Sequence, residues 1–184
     1  MEKKLPKLIS KDETLVRYVF ESDFKGKNVL RKKINFSNFL LPYLGGVSIQ
    51  RESYCSENEC KKRAKLTGKV YVGFYVFRKS RFLEVRDNYI LNSRKNFQAD
   101  LFSTPLNSNN DYLPLPINNK SFEILEGNPS HADLIYINPA PVEGETPKTA
   151  MRSFVRKLYN ERELIIDSSS KEDDYKGTAF KLTV

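Results

Sequence analysis

Tryptophan is absent, histidine occurs once, as His131, and cysteine only twice, as Cys55 and Cys60. The cysteines stand in a C-x4-C spacing with no second pair and no histidine beside them. A structural zinc site needs about four ligands, so no metal is expected. A disulfide would close a very small loop at a helix start, and a reducing compartment keeps thiols free. Both are therefore read as ordinary thiols. No apolar run approaches the ~20 residues of a transmembrane helix. The opening residues, MEKKLPKLISKDE, lack the apolar middle of a secretory signal. These absences point to a cytoplasmic chain with no membrane association. Gly45 and Gly46 do not begin a phosphate loop, because the Walker spacing and the Gly-Lys-Ser/Thr ending are missing. No cofactor motif is present, and no cofactor is expected.

Negative charge is also in deficit. The 184 residues carry 31 Lys and Arg against 23 Asp and Glu, a net charge of +8. Such an excess is an argument about partners, not about fold. Phosphate-rich ligands come first, nucleic acid among them, and an acidic protein partner comes second.

What is present reads as one α+β domain. Strands are expected at 14–20 (TLVRYVF), 29–34, 45–51, 69–78 (KVYVGFYVFR), 81–86, 121–125, 133–137 and 163–166, with 180–184 as an added edge. The 69–78 run is apolar on both faces, which predicts a strand covered on both sides. Gly73 within it marks a bulge or a close approach. Ser56 with Glu59 has capping-box spacing and opens a helix that Gly68 closes. Thr146 and Pro147 open a second helix, running to about 162, with Ala150, Met151, Phe154, Val155 and Leu158 on one face. Residues 1–12 read as a mobile lead, 87–120 as a long loop and 167–178 as a solvated connection. The expectation is a mostly antiparallel sheet of five to seven strands with two main helices.

The basic residues cluster. Five lie between Lys25 and Lys33 with no acid, and eleven between Lys61 and Lys95 against two acids. Tyr71, Phe74, Tyr75, Phe77, Phe82, Tyr89 and Phe97 are interleaved with them. Cations along a backbone path with flat rings for stacking is what a single-strand binder needs. The candidate contacts are Lys27, Arg31, Lys33, Lys61, Lys62, Lys65, Arg78 and Arg81, joined by Lys148, Arg152 and Arg156 on one face of the later helix. The competing reading is that the rings are core and the charged stripe a solvated face.

His131 is the one side chain with an ordinary pKa near neutrality, which suits a general base. With Arg17, Ser48 and Arg51 as neighbours it would form a phosphodiester- or nucleotide-processing site. The alternative is structural, with the ring bonded to a backbone carbonyl at the strand start. His131-x-Asp133 could supply half of a metal site. Arg17, Ser48 and Glu52 with Tyr54 loosely fit enzymes that grip NAD and attack its ribose.

The runs LVRYVF…DF, NFLLP…GGVSIQR and HADLIYINPAP resemble a family of short uncharacterised bacterial proteins. Those share an early strand Arg, an S-V-x-R run and a late His-Ala-Asp/Asn-Ile segment. Ser48-Ile49-Gln50-Arg51 departs from the second, and Tyr136-Ile137-Asn138-Pro139 from the family's Gly-Trp-Pro. The resemblance brings no activity. It implies that Arg17, Ser48, Arg51, His131 and Asp133 are the positions to test first. Three functions are thus expected in order: a non-enzymatic RNA or single-stranded DNA binder, an enzyme centred on His131, and a subunit for an acidic partner that orders the 87–120 loop.

Overall fold

Two strands rich in β-branched and aromatic residues, β2 (Thr14–Phe20) and β4 (Tyr71–Arg78), pair antiparallel along their whole length and form the spine of the molecule. The computed structural model describes residues 5–42, 45–92, 95–116, 121–123 and 126–180. Around the spine lie β3 (Val47–Arg51), β5 (Phe97–Ser103), β7 (His131–Pro139) and β8 (Leu164–Ile166). The six strands form one antiparallel sheet in the order β5-β7-β3-β2-β4-β8. Short β1 (Leu5–Pro6) and β6 (Ser121–Phe122) make a separate pair. Three helices complete the α+β domain: α1 (Glu57–Leu66), α2 (Lys79–Asn92) and α3 (Pro147–Leu158).

Both faces of the spine are buried. Leu15, Val19, Tyr75 and Phe77 pack with Phe82 and Tyr89 of α2 and Phe154, Val155 and Leu158 of α3. Val16, Tyr18, Phe20, Phe74 and Val76 pack with Cys60 and Ala64 of α1 and with Phe180. Gly73 is a close approach, as its place in the strand suggested: a Cβ there would sit 2.1 Å from the Ile165 carbonyl oxygen of β8. A register shift in the β2–β4 pairing falls beside it.

Several expectations are corrected. The interleaved rings are core: Tyr71, Phe74, Tyr75, Phe77, Phe82, Tyr89 and Phe97 are each at most 4 % exposed. Residues 81–86 belong to α2, not to a strand. Phe82, Val85 and Tyr89 recur at helical spacing, so the helix buries one side against the sheet. The stretch 87–120 contains the end of α2 and all of β5. Val29–Arg31 is a 3-10 turn capped by Asn28, where a strand was expected. Residues 5–12 do not hang loose, since Leu5 and Ile9 are buried. Residues 171–174 and 176–178 face solvent, as expected of a solvated connection, but Asp167 and Ser169 at its start are buried and Phe180 beyond it packs into the core. The second helix of the sequence reading ends at Leu158. The strand expected at 121–125 is described only through Glu123, and of the edge at 180–184 only Phe180 is described.

Candidate functional site

The sheet parts on one side. β2 pairs with β3 only at Leu15↔Arg51 and Val16↔Gln50. Beyond that point β2 stays on β4 through Phe20, while β3 stays on β7 through Val47. A cavity of about 520 Å³ lies at the parting, lined among others by Arg17, Ser48, Gln50, Arg63, Lys69 and His131. Arg17 is the first β2 residue past the last β2–β3 pair.

The register of β3 against β7 builds the polar pair. Ser48 faces Asp133 and Gln50 faces His131, so all four side chains leave one face of the sheet. Ser48 and His131 are diagonal neighbours, within reach of a long side chain. The Ser48 Oγ lies 2.9 Å from His131 Nε2. On the other side of the ring, Nδ1 lies 2.7 Å from the Thr104 carbonyl oxygen. A carbonyl only accepts, so Nδ1 carries the proton and Nε2 is left as an acceptor for the Ser48 hydroxyl. The Thr104 hydroxyl, 3.1 Å from Nδ1, donates to Asp133 Oδ2 at 2.9 Å. His131 and Asp133 are buried while Ser48 is exposed. Burial pushes the imidazole below its ordinary pKa, opposed by the Asp133 charge and by the Thr104 carbonyl. The net shift favours the neutral ring. Gly46 allows the carboxylate this position, because a Cβ there would lie 2.8 Å from Asp133 Cβ.

Three cations line the same cavity. The Arg17 guanidinium donates from Nη1 to the Tyr18 carbonyl at 2.9 Å, and its buried Nε has no partner. Arg17 and Lys69 lie 5.6 and 5.3 Å from the Phe20 ring centroid. Arg63 bonds the Gly127 carbonyl at 3.0 Å through one nitrogen. No carboxylate is among the described residues lining this cavity. A guanidinium with an unanswered donor, beside two further cations, suits an anion.

The sequence-derived candidates divide. Arg17, Ser48 and His131 converge. Arg51 does not: it is 1 % exposed, ion-paired to Glu13 and bonded to the Pro6 carbonyl at 2.7 Å and Ser103 at 3.1 Å. Its guanidinium lies over Tyr54 at 4.7 Å. Glu52 and Tyr54 line a different cavity, with Cys55 and Glu59, which separates them from Arg17 and Ser48. Among the described residues no group of three metal-ligating side chains could hold an ion, so His131-x-Asp133 stands without a third ligand.

Of the expected polyanion contacts, Lys61 is fully buried against Asp167 at 2.9 Å. Arg81 pairs with Glu163 at 3.1 Å, and Lys65 bonds the Glu172 carbonyl at 2.6 Å. Arg78 and Arg152 are partly covered, and Arg156 lies 5.7 Å from the Phe36 ring centroid. Lys27, Arg31, Lys33, Lys62 and Lys148 are exposed. The sequence reading missed Arg63, Lys69, Gln50 and Thr104 as site residues. The first two stood within the basic run it noted. Thr104 lies 27 positions before His131 and carries no local signal.

Compared with known proteins, the chain matches no family model, no curated protein and no solved structure.

Proposed function

We propose that the chain is an enzyme acting on phosphate diesters of the nucleotide or nucleic-acid class, with Ser48 and His131 as its reactive pair. One observation carries this reading: the Ser48 hydroxyl meets an imidazole held by the Thr104 carbonyl at the edge of a cavity lined by Arg17, Arg63 and Lys69. A hydroxyl is a weak nucleophile until a base takes its proton. His131 Nε2 accepts that proton as Ser48 Oγ attacks phosphorus, and the three cations hold the non-bridging oxygens. The departing oxygen takes the proton from Nε2 as its bond to phosphorus breaks. Water then attacks the phosphoserine, gives its proton to Nε2, and Ser48 leaves with it. The Thr104 carbonyl keeps the ring oriented throughout. Asp133 lies on the far side of Thr104 and favours the imidazolium that forms twice in the cycle.

The test uses the full chain with bis(p-nitrophenyl) phosphate and a labelled oligoribonucleotide. The wild type is expected to turn over at least one of them. Ser48→Ala and His131→Gln should each lower turnover by about 10²- to 10⁴-fold, the usual contribution of a positioned base, with unchanged circular dichroism. Absence of turnover on both substrates, or wild-type rates in both variants, overturns the proposal. The exposed cations at Lys27, Arg31 and Lys33 support a second reading, passive binding of nucleic acid. The seven rings that reading enlisted for stacking lie in the core.

A further inference from the structure

The reactive cavity does not end at Arg17. A second cavity of about 490 Å³ adjoins it and shares Arg17, Phe20, Leu41, Pro42 and Lys69 as lining. Its far wall is built by Lys148 and Met151 of α3 with Asn38. The cations thus run from Arg63 through Arg17 and Lys69 to Lys148 along one continuous groove.

We infer that this groove takes a single-stranded polynucleotide, with one phosphate at Ser48–His131 and the next ones along Arg17, Lys69 and Lys148. The inference rests on the diesterase reading only for which phosphate is cut. Each cavity has the volume of a small-ligand pocket, enough for about one nucleotide. Two that share a wall of cations fit consecutive units of a chain better than one mononucleotide. Lys69 and Lys148 are exposed, and among the described residues neither is in an ion pair. A groove of cations that follows a backbone is the electrostatic half of single-strand recognition. The second cavity does hold one carboxylate, Asp23. Its Oδ2 accepts the Phe20 N–H at 2.9 Å, and burial raises its pKa against the pull of Arg17 and Lys69. It anchors the turn after β2, and it is the one acid among the described residues lining the two cavities, against the four cations Arg17, Arg63, Lys69 and Lys148. Tyr112, 62 % exposed and with its ring 6.0 Å from that of His131, is a flat surface on the reactive side where a base can stack.

The experiment measures binding, not turnover. Full-length Ser48→Ala protein is titrated with fluorescein-labelled 12-mer RNA, the 12-mer DNA of the same sequence, a dinucleoside monophosphate and poly-glutamate. The 12-mers are expected to bind at least tenfold more tightly than the dinucleotide, with the RNA and DNA arms identifying the sugar. Affinity should fall with salt by about 0.7 log units per log unit of salt for each phosphate neutralised. Lys148→Glu should weaken 12-mer binding at least fivefold. Lys157→Glu, on an exposed α3 residue outside both cavities, should not. Equal affinity for the dinucleotide and the 12-mers, equal effects of the two α3 variants, or preference for poly-glutamate each overturns the inference. Turnover lost in Ser48→Ala alongside length-independent binding would leave the diesterase reading standing and remove the strand.

Discussion

His131 is the residue on which the proposed chemistry turns, and it is the only histidine in the chain. A single imidazole C2–H resonance therefore reports its titration without assignment. Burial lowers its pKa, and Arg63 adds to that; Asp133 and the Thr104 carbonyl oppose it. The midpoint is expected below ~6.5, the ordinary value for histidine. A midpoint at or above that value contradicts a neutral base. The sign for stability follows from the same shift. The unfolded imidazole takes up a proton near pH 6.5, and the folded one only at lower pH. This group's contribution to stability is thus complete above the unfolded value and is lost as pH falls toward the folded one. Catalysis should keep its plateau through pH 6.5 and decline on the acid side. His131, Ser48 and Arg17 were legible in the sequence because a lone histidine and a strand arginine stand out by type. Arg51 was equally conspicuous. What removed it from the site is Glu13, 38 positions away, whose carboxylate draws the guanidinium into the core. Partners at that separation leave no mark in a window of sequence.

At the level of elements, local chemistry served where it was sufficient. Ser56 and Glu59 bond reciprocally across the first turn of α1, and Thr146 with Pro147 opens α3, both as their spacing required. It failed where residue type and period disagree. The stretch from Arg81 to Arg86 has the phenylalanine and valine of a strand, yet its apolar positions continue to Tyr89 at helical intervals. Tertiary burial against β4 and β5 decides that contest. The parting of β2 from β3, which makes the cavity, is invisible in either strand alone, because it is a property of how far their pairing runs. Gly73 was legible as an anomaly, and its cause is β8. Gly73→Ala places a methyl on the Ile165 carbonyl, so β8 must draw away from β4. Overpacking of this kind costs about 1–3 kcal/mol. Urea unfolding should show that loss in Gly73→Ala and a smaller one in the exposed control Thr67→Ala, which gives up the hydroxyl's bond to the Ala64 carbonyl at 2.7 Å and the one it accepts from the Lys69 N–H at 3.4 Å. Wild-type stability in Gly73→Ala would mean that β8 does not sit against β4 as described.

Across the whole molecule the +8 charge is not one surface property but several. Some cations hold the fold, some line the groove, and others face solvent on the turns around residues 25–33. Lys61 shows the first role most clearly. Its ammonium lies 2.9 Å from Asp167 and bonds the carbonyls of Ser169 and Asp174 at 2.7 and 2.8 Å. Both ends of the pair are fully buried. The contact ties α1 to the segment that carries Phe180 into the core, so the chain's last described stretch is locked over one face of the sheet. Removing one partner of such a pair leaves a buried charge alone and typically costs about 3–5 kcal/mol. Lys61→Met is expected to lose stability on that scale in urea, whereas Lys62→Met, one position on and exposed, should stay within ~0.5 kcal/mol. The comparison also separates two accounts of the basic stretch. If Lys61 contacted a polyanion from the surface, Lys61→Met would keep its stability and lose oligonucleotide affinity. The buried geometry requires the reverse order, with folding impaired first and any loss of binding following from it.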